Sequence, residues 1–264
     1  MGNDGWKLGA GSGIDSYTEL YGVFGDPVRH SRSPIMLGRA FAEAGVNAAY
    51  VAFHVLPESL ADAIRGVRAL GVRGVNVTIP HKVEVMRHLD EIDETARAIG
   101  AVNTIVRRDD RLIGYNTDGI GYVRSLKEET GAALRGARIL LLGAGGAARG
   151  VAYALAKEAP ARLTIAARTA SKAEALAGEL RAVADAEGIG WEAIDHIIGE
   201  ADILINTTPI GMHPNTDASP ISVAAVRPGA VVSDLIYNPL KTKLLREAEA
   251  AGAVADAEGI GWEA

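Results

Sequence analysis

From residue 21 onward, short apolar runs alternate with stretches in which apolar residues recur at helical spacing. Residues 21–25 (YGVFG), 49–55 and 72–79 read as strands, the last rich in the β-branched residues that pleated surfaces favour. Residues 57–70 and 91–99 read as helices, and a further helix begins near Pro34. Residues 102–108 and 111–115 flank an Asp109-Asp110 turn, which predicts an antiparallel hairpin. Strands alternating with helices in this way imply a mostly parallel sheet.

A second alternation begins at Arg138. Residues 139–142 (ILLL) form a continuous apolar strand, followed by a glycine-rich turn and a helix through Lys157. A strand at 163–166, a helix at 171–186 and strands at 201–206 and 231–235 complete a doubly wound dinucleotide-binding pattern. A helix over 119–134 bridges the two units. The fold expected is therefore α/β, with two α/β domains. A leader over 1–17 precedes a substrate-binding domain over 18–118, built on a mostly parallel mixed sheet. A Rossmann-type domain follows over 119–240, and 241–264 is expected to pack back on the first domain. Residues 182–193 (AVADAEGIGWEA) recur unchanged as 253–264; nothing else repeats at that offset, so the chain is no solenoid.

Composition narrows the chemistry. Of the 264 residues, 48% are hydrophobic and 23% charged, as in ordinary globular proteins. The absence of cysteine excludes disulfides, thiolate nucleophiles and cysteine-ligated zinc, and no metal site is expected. A net charge of −6 argues against a nucleic-acid partner while leaving room for a small anionic substrate held at a local positive site. No apolar run approaches the roughly 20 residues of a membrane span. The polar, Gly- and Ser-rich first residues lack the apolar stretch of a secretory signal. A cytoplasmic protein, monomer or homodimer, is the expectation.

Gly143, Ala144, Gly145, Gly146, Ala147 and Ala148 fit G-x-G-x-x-A. The pattern is common by itself, but here it leaves an apolar strand and opens a helix, the context that gives it meaning. Gly143 permits a tight turn, Gly145 lets a pyrophosphate approach backbone N–H groups, and the helix start favours negative charge. At the end of the next strand, NAD enzymes place an acid against the ribose 2′-hydroxyl. This chain instead has Ala167, Arg168 and Thr169, with Lys172 just beyond. A guanidinium, a hydroxyl and an ammonium suit a 2′-phosphate, so NADP is the cofactor expected.

Three segments of the first unit carry further polar groups. HSRSP at 30–34 places Ser33 as the expected helix N-cap with Pro34 behind it, and Ser31 adds a second hydroxyl able to hold a carboxylate at the helix start. NVTIPHK at 76–82 delivers Asn76 and Thr78 on one strand face, then Lys82. NTDG at 116–119 presents Asp118. Together they supply what ketone reduction needs: a proton donor, a clamp for hydroxyls and an anion site. Lys82 could transfer the proton and Asp118 could orient it, although the aspartate's charge opposes any lowering of the lysine pKa.

SRSP, NVTIPHK, GAVNT at 100–104, NTDGIG at 116–121, GAGGAARG at 143–150 and NTTPIGM at 206–212 occur in this order, and with them the chain resembles the shikimate dehydrogenase family over most of its length. The resemblance implies shikimate contacts from Ser31, Ser33, Thr78, Asn103, Asp118 and Tyr237, with Asn76 shaping the pocket. It implies Lys82 as acid/base assisted by Asp118, and NADP contacts from Gly143, Ala144, Gly145, Gly146, Ala147, Ala167, Arg168, Thr169, Lys172 and Leu235. Gly259 is expected to approach a nicotinamide lying where the two units meet. The reaction implied is NADPH-dependent reduction of 3-dehydroshikimate to shikimate. Alternatives are a quinate/shikimate dehydrogenase of broader specificity, or a catalytically silent paralogue that binds NADP or a metabolite.

Two departures stand out. Ala167 replaces the family's usual Asn, removing one hydrogen bond to the adenosine ribose, worth about 1 kcal/mol. Trp262 replaces a methionine, and the family's final helix, with its substrate-binding glutamine, would fall just past Ala264. A terminus unlike the family's natural one is the expectation there.

Overall fold

The computed structural model describes residues 14–255. The chain divides between 116 and 117 into two compact units.

The first unit runs β1 (Glu19–Gly25), α1 (Ser33–Glu43), β2 (Ala48–His54), α2 (Leu60–Ala69), β3 (Gly74–Val77), β4 (Glu91–Ile92), α3 (Glu94–Ile99), β5 (Thr104–Arg108) and β6 (Arg111–Tyr115). Its sheet has the order β2-β1-β3-β5-β6-β4. The strands β2, β1 and β3 are mutually parallel, whereas β5 runs against both neighbours. The hairpin is as predicted, with Arg108 opposite Arg111 and Asp109 in the left-handed region at φ 54°. Leu60, Ile64 and Val67 of α2 bury against Phe24, Val75 and Val77 of the sheet. Two predicted elements split. Residues 57–59 form a separate 3-10 turn before α2, and residues 91–99 become β4 and α3, because Asp93 accepts the Thr95 N–H at 2.9 Å and starts the helix afresh.

The second unit runs α4 (Asp118–Thr130), β7 (Arg138–Leu142), α5 (Gly146–Lys157), β8 (Arg162–Ala167), α6 (Ala170–Leu180), β9 (Ala186–Gly190), α7 (Ile194–Ile197), β10 (Ile203–Asn206), β11 (Val231–Asp234), α8 (Lys243–Ala250) and β12 (Val254–Ala255). All its pairings are parallel, in the order β12-β11-β10-β7-β8-β9. Strand β7 shows why its sequence is apolar throughout. Ile139 and Leu141 pack on one face with α4, α5 and α6, while Leu140 and Leu142 pack on the other with α7 and α8. Each such side chain contributes about 1.5–3 kcal/mol by leaving water.

The expected helix at 171–186 ends at Leu180, and Ala186 opens a strand instead. The reason is Gly188, whose missing side chain lets β9 lie directly on the backbone of Ala173 and Glu174 in α6. The described part of 241–264 also departs from expectation: α8 packs against β11 and β12, and β12 pairs with β11, all in the second unit. Among the described residues no helix is long and apolar enough to cross a membrane, and no group of metal-ligating side chains occurs.

Candidate active site

At one end of the first sheet, three segments bring the predicted side chains together. Because β5 is antiparallel to β3, its first residue lies beside the last of β3: Asn76 is opposite Thr104, and the Val77 N–H donates to the Asn103 carbonyl at 2.7 Å. Asn103 is buried, and its side-chain oxygen accepts the Thr104 hydroxyl at 3.0 Å. Asn76 is turned into the sheet surface. Its oxygen accepts the Tyr50 hydroxyl at 2.6 Å and its nitrogen donates to Thr104 Oγ1 at 3.2 Å. Thr78 follows β3 with its methyl group against Gly25 at the end of β1, in space that any side chain at 25 would contest.

The turn carrying Lys82 is anchored by its neighbour. His81 is buried, and its Nε2–H donates to the Val55 carbonyl at 2.7 Å. The Lys82 carbonyl in turn accepts the Val102 N–H at 2.8 Å, linking this turn to the GAVNT segment. Lys82 itself is half-buried. The sequence reading passed over His81, though a histidine beside a candidate acid was a usable signal.

The helix-start bond expected of Ser33 falls to Ser31. The N-cap of α1 is Arg32, already in the helical region, so Ser33 is the first helical residue and is buried. The Ser31 hydroxyl, not that of Ser33, accepts a first-turn N–H, that of Ser33 at 3.2 Å. Asp118 opens α4 and falls in the second unit, on the other side of the division from Lys82. The glycine after it has a packing reason: a Cβ at Gly119 would collide with the Gly150 carbonyl of α5.

In the second sheet, strand order reverses between β7 and β10, the switch point at which such sheets bind ligands. Gly143 leaves β7 at φ 116°, and a Cβ there would collide with Thr207 Oγ1. No other residue fits that turn. Gly145 caps α5 without any side-chain bond, and open space surrounds the Cβ positions of Gly145 and Gly146. The first N–H groups of α5 therefore face outward with room for a phosphate. Arg168, Thr169 and Lys172 are exposed just past β8, Ala167 is buried at its end, and Leu235 is buried after β11. This end of the sheet fits an anionic dinucleotide carrying an extra phosphate. Tyr237 is half-buried beyond Leu235, while Gly259 and Trp262 lie outside the described residues.

Behind the switch point lies a polar network that the sequence reading missed. Asp234, Asn206 and Thr242 are fully buried. Asp234 Oδ1 accepts from Asn206 Nδ2 at 3.0 Å and from the Ile236 N–H at 3.1 Å, and Oδ2 accepts the Thr242 hydroxyl at 2.8 Å. Asn206 Oδ1 accepts the Thr208 N–H at 3.0 Å and hydroxyl at 2.7 Å. Burial pushes the Asp234 carboxyl up to about 6, against the pull of its three hydrogen bonds. The polar end of β11, Ser233-Asp234, inside an apolar run was the available signal.

A doubly wound parallel sheet with a glycine-lined turn at its switch point, in one chain with a mixed-sheet unit bearing a lysine and hydroxyl groups, points to a nucleotide-dependent oxidoreductase. Profiles of two families match the chain: the shikimate dehydrogenase substrate binding domain over residues 23–105 and shikimate / quinate 5-dehydrogenase over residues 125–214. The chain belongs to the shikimate dehydrogenase family. It is 54% identical over 230 residues to shikimate dehydrogenase (NADP(+)) of a Geobacillus species, covering 87% of this chain and 83% of that one. A crystal structure of shikimate dehydrogenase in complex with NADP+ superposes with a TM-score of 0.86 at 46% identity, covering 97% of this chain and 90% of that one. The Thermus thermophilus enzyme, solved with NADP(H) and shikimate, gives 0.83 at 36% identity, covering 93% and 90%.

Proposed function

We propose that this chain catalyses the reversible, NADPH-dependent reduction of 3-dehydroshikimate to shikimate, a step towards chorismate and the aromatic amino acids, as a cytoplasmic monomer or homodimer. When bound, NADPH would supply the hydride that the carbonyl carbon takes up. Lys82 gives its proton to the carbonyl oxygen, so the C=O becomes CH–OH, and the lysine is reprotonated from water. Asp118 assists it. Ser31 and the start of α1 hold the substrate carboxylate, with Ser33 beside them, and Thr78, Asn103, Asp118 and Tyr237 take its hydroxyl groups. Asn76, whose amide is spent on Tyr50 and Thr104, shapes this pocket from behind. Gly143, Ala144, Gly145, Gly146 and Ala147 line the pyrophosphate turn, while Arg168, Thr169 and Lys172 take the 2′-phosphate. Ala167, Leu235 and Gly259 are proposed to complete the cofactor's surroundings.

The observation that carries this reading is the presence in one chain of Lys82 at a hydroxyl-lined sheet end and of an acid-free, doubly cationic strand end at Arg168 and Lys172. The test is Lys82→Met, assayed by the absorbance of the reduced cofactor with shikimate as substrate. Loss of a general acid lowers turnover by about 10²–10⁴-fold, with shikimate affinity nearly intact. Unchanged turnover would falsify the role of Lys82. Rates on quinate against shikimate, with NADP and with NAD, separate this reading from a broader quinate/shikimate dehydrogenase.

A further inference from the structure

The network centred on Asp234 takes part in none of the steps above, and its form needs explaining. Three chain segments converge on one fully buried carboxylate: Asn206 at the end of β10, the Ile236 N–H after β11, and Thr242 at the start of α8. Capping α8 does not require the carboxylate, since Thr242 Oγ1 itself accepts the Leu245 N–H. What the carboxylate fixes is the geometry of two turns. Through Asn206 it governs Thr208, whose N–H and hydroxyl both donate to the same amide oxygen, and hence the turn in which Thr207 abuts Gly143. Through Ile236 it governs the exit of β11, immediately after Leu235. We propose that Asp234 is a positioning residue that holds the Thr207–Thr208 and Leu235–Ile236 turns in the arrangement the cofactor's reacting end requires at the switch point. This rests on the function proposed above.

The chemistry of the network makes the proposal testable. All three groups bonded to Asp234 donate, so the ionised carboxylate satisfies them; once protonated, it turns its own O–H on Thr242 Oγ1 and the buried Thr242 hydroxyl proton loses its acceptor. No charged side chain contributes to its titration; burial and these three bonds are the causes. On the elements packed around it, β10 has no titratable residue, and Lys241 and Lys243 flank Thr242 but pair with Glu249 and Glu247. Arg246, His213 and Asp217 are exposed, and Tyr237 is half-buried three residues along the chain.

Asp234→Asn replaces two accepting oxygens by one acceptor and one donor, mimicking the protonated acid. Against the wild type at about pH 7.5, kcat/KM for NADP is expected to fall about tenfold, as displaced reacting groups cost rate, while KM for shikimate stays within about twofold. The gap closes at about pH 5, where the wild-type acid is itself protonated. Titration of the cofactor's own phosphate is common to both proteins and cancels in the ratio. The variant's thermal midpoint at neutral pH is not lowered, since the buried charge is gone, so a loss of activity is not a loss of fold. Thr242→Ser keeps the donor and the activity, and Thr242→Val reproduces the loss. NADP+ affinity by calorimetry gives the same pH-dependent ratio without turnover. A wild-type chain that binds NADP+ but does not oxidise shikimate therefore sinks the proposed function and still tests Asp234. A ratio that does not vary with pH, or wild-type kinetics in Asp234→Asn and Thr242→Val, overturns the proposal.

Discussion

The two sheets of this protein solve the same problem, placing polar groups at one end of a set of strands, in opposite ways. In the second unit the work falls to backbone: the outward N–H groups of α5 and a glycine held against Thr207, with Asn206, Asp234 and Thr242 locked out of solvent behind them. In the first unit it falls to half-buried side chains such as Ser31, Thr78 and Lys82, each on a turn pinned by a backbone bond. A pyrophosphate is recognised by shape and dipoles that only one backbone path provides. A ring of hydroxyl groups is recognised by side chains that can be exchanged one at a time. Errors in the backbone path of the glycine turn should therefore damage the fold as well as binding, and exchanges of exposed or half-buried side chains should spare it.

The internal cost of the second arrangement is visible in Asp234. Its folded-state pKa of about 6 lies above the ordinary value of 3.8, so the fold favours the protonated acid. That stabilising contribution is complete below the ordinary value and is lost as pH rises through about 6, leaving a penalty of about 3 kcal/mol at neutral pH.

Three substitutions sharpen the contrast. Gly143→Ala should have the largest effect: a forced φ and a collision with Thr207 together cost about 2–5 kcal/mol, read as a lower thermal midpoint and lost NADP affinity. A variant with unaltered melting and binding would break the claim that backbone carries recognition here. Arg168→Ala should weaken NADP by about 2 kcal/mol through a lost charge-assisted bond while leaving NAD affinity and melting alone; equal losses for both cofactors would show that the guanidinium does not read the extra phosphate. Smallest is Thr78→Val, which keeps the methyl group against Gly25 and removes only the hydroxyl. It should raise the shikimate KM by about 1 kcal/mol with an unchanged melting curve, and a destabilised protein would mean that Thr78 belongs to the fold rather than the pocket.

What could be read from the chain follows the same division. The run at 139–142 and the glycine turn after it announced a parallel strand and the tight turn into α5, because burial on both faces leaves no polar alternation to confuse the pattern. The hairpin at 104–115 was equally plain from its Asp109-Asp110 turn. Strand β9 was hidden because AEGIG looks like a fraying helix end, and only the close approach of Gly188 to α6, a tertiary fact, makes it a strand. The repeated tripeptide AVA makes the point within one molecule: Val183 sits in the turn after α6, whereas the same triplet at 253–255 contributes β12 beside β11. Local sequence was identical and neighbours decided. At the site, isolated polar types at sheet ends were legible, but the convergence on Asp234 was not, since Asn206, Asp234 and Thr242 come from segments whose meeting depends on the whole wound sheet.

The contact between Gly119 and the Gly150 carbonyl has a consequence beyond packing. It seats the first turn of α4, with Asp118, on the flank of the helix whose opening residues belong to the glycine-rich loop. The aspartate and the loop are thus bolted to a common chassis, and whatever tilts α5 tilts both. Residue 119 is accordingly a lever, next in the chain to Asp118, by which the carboxylate's aim could be adjusted without touching the carboxylate.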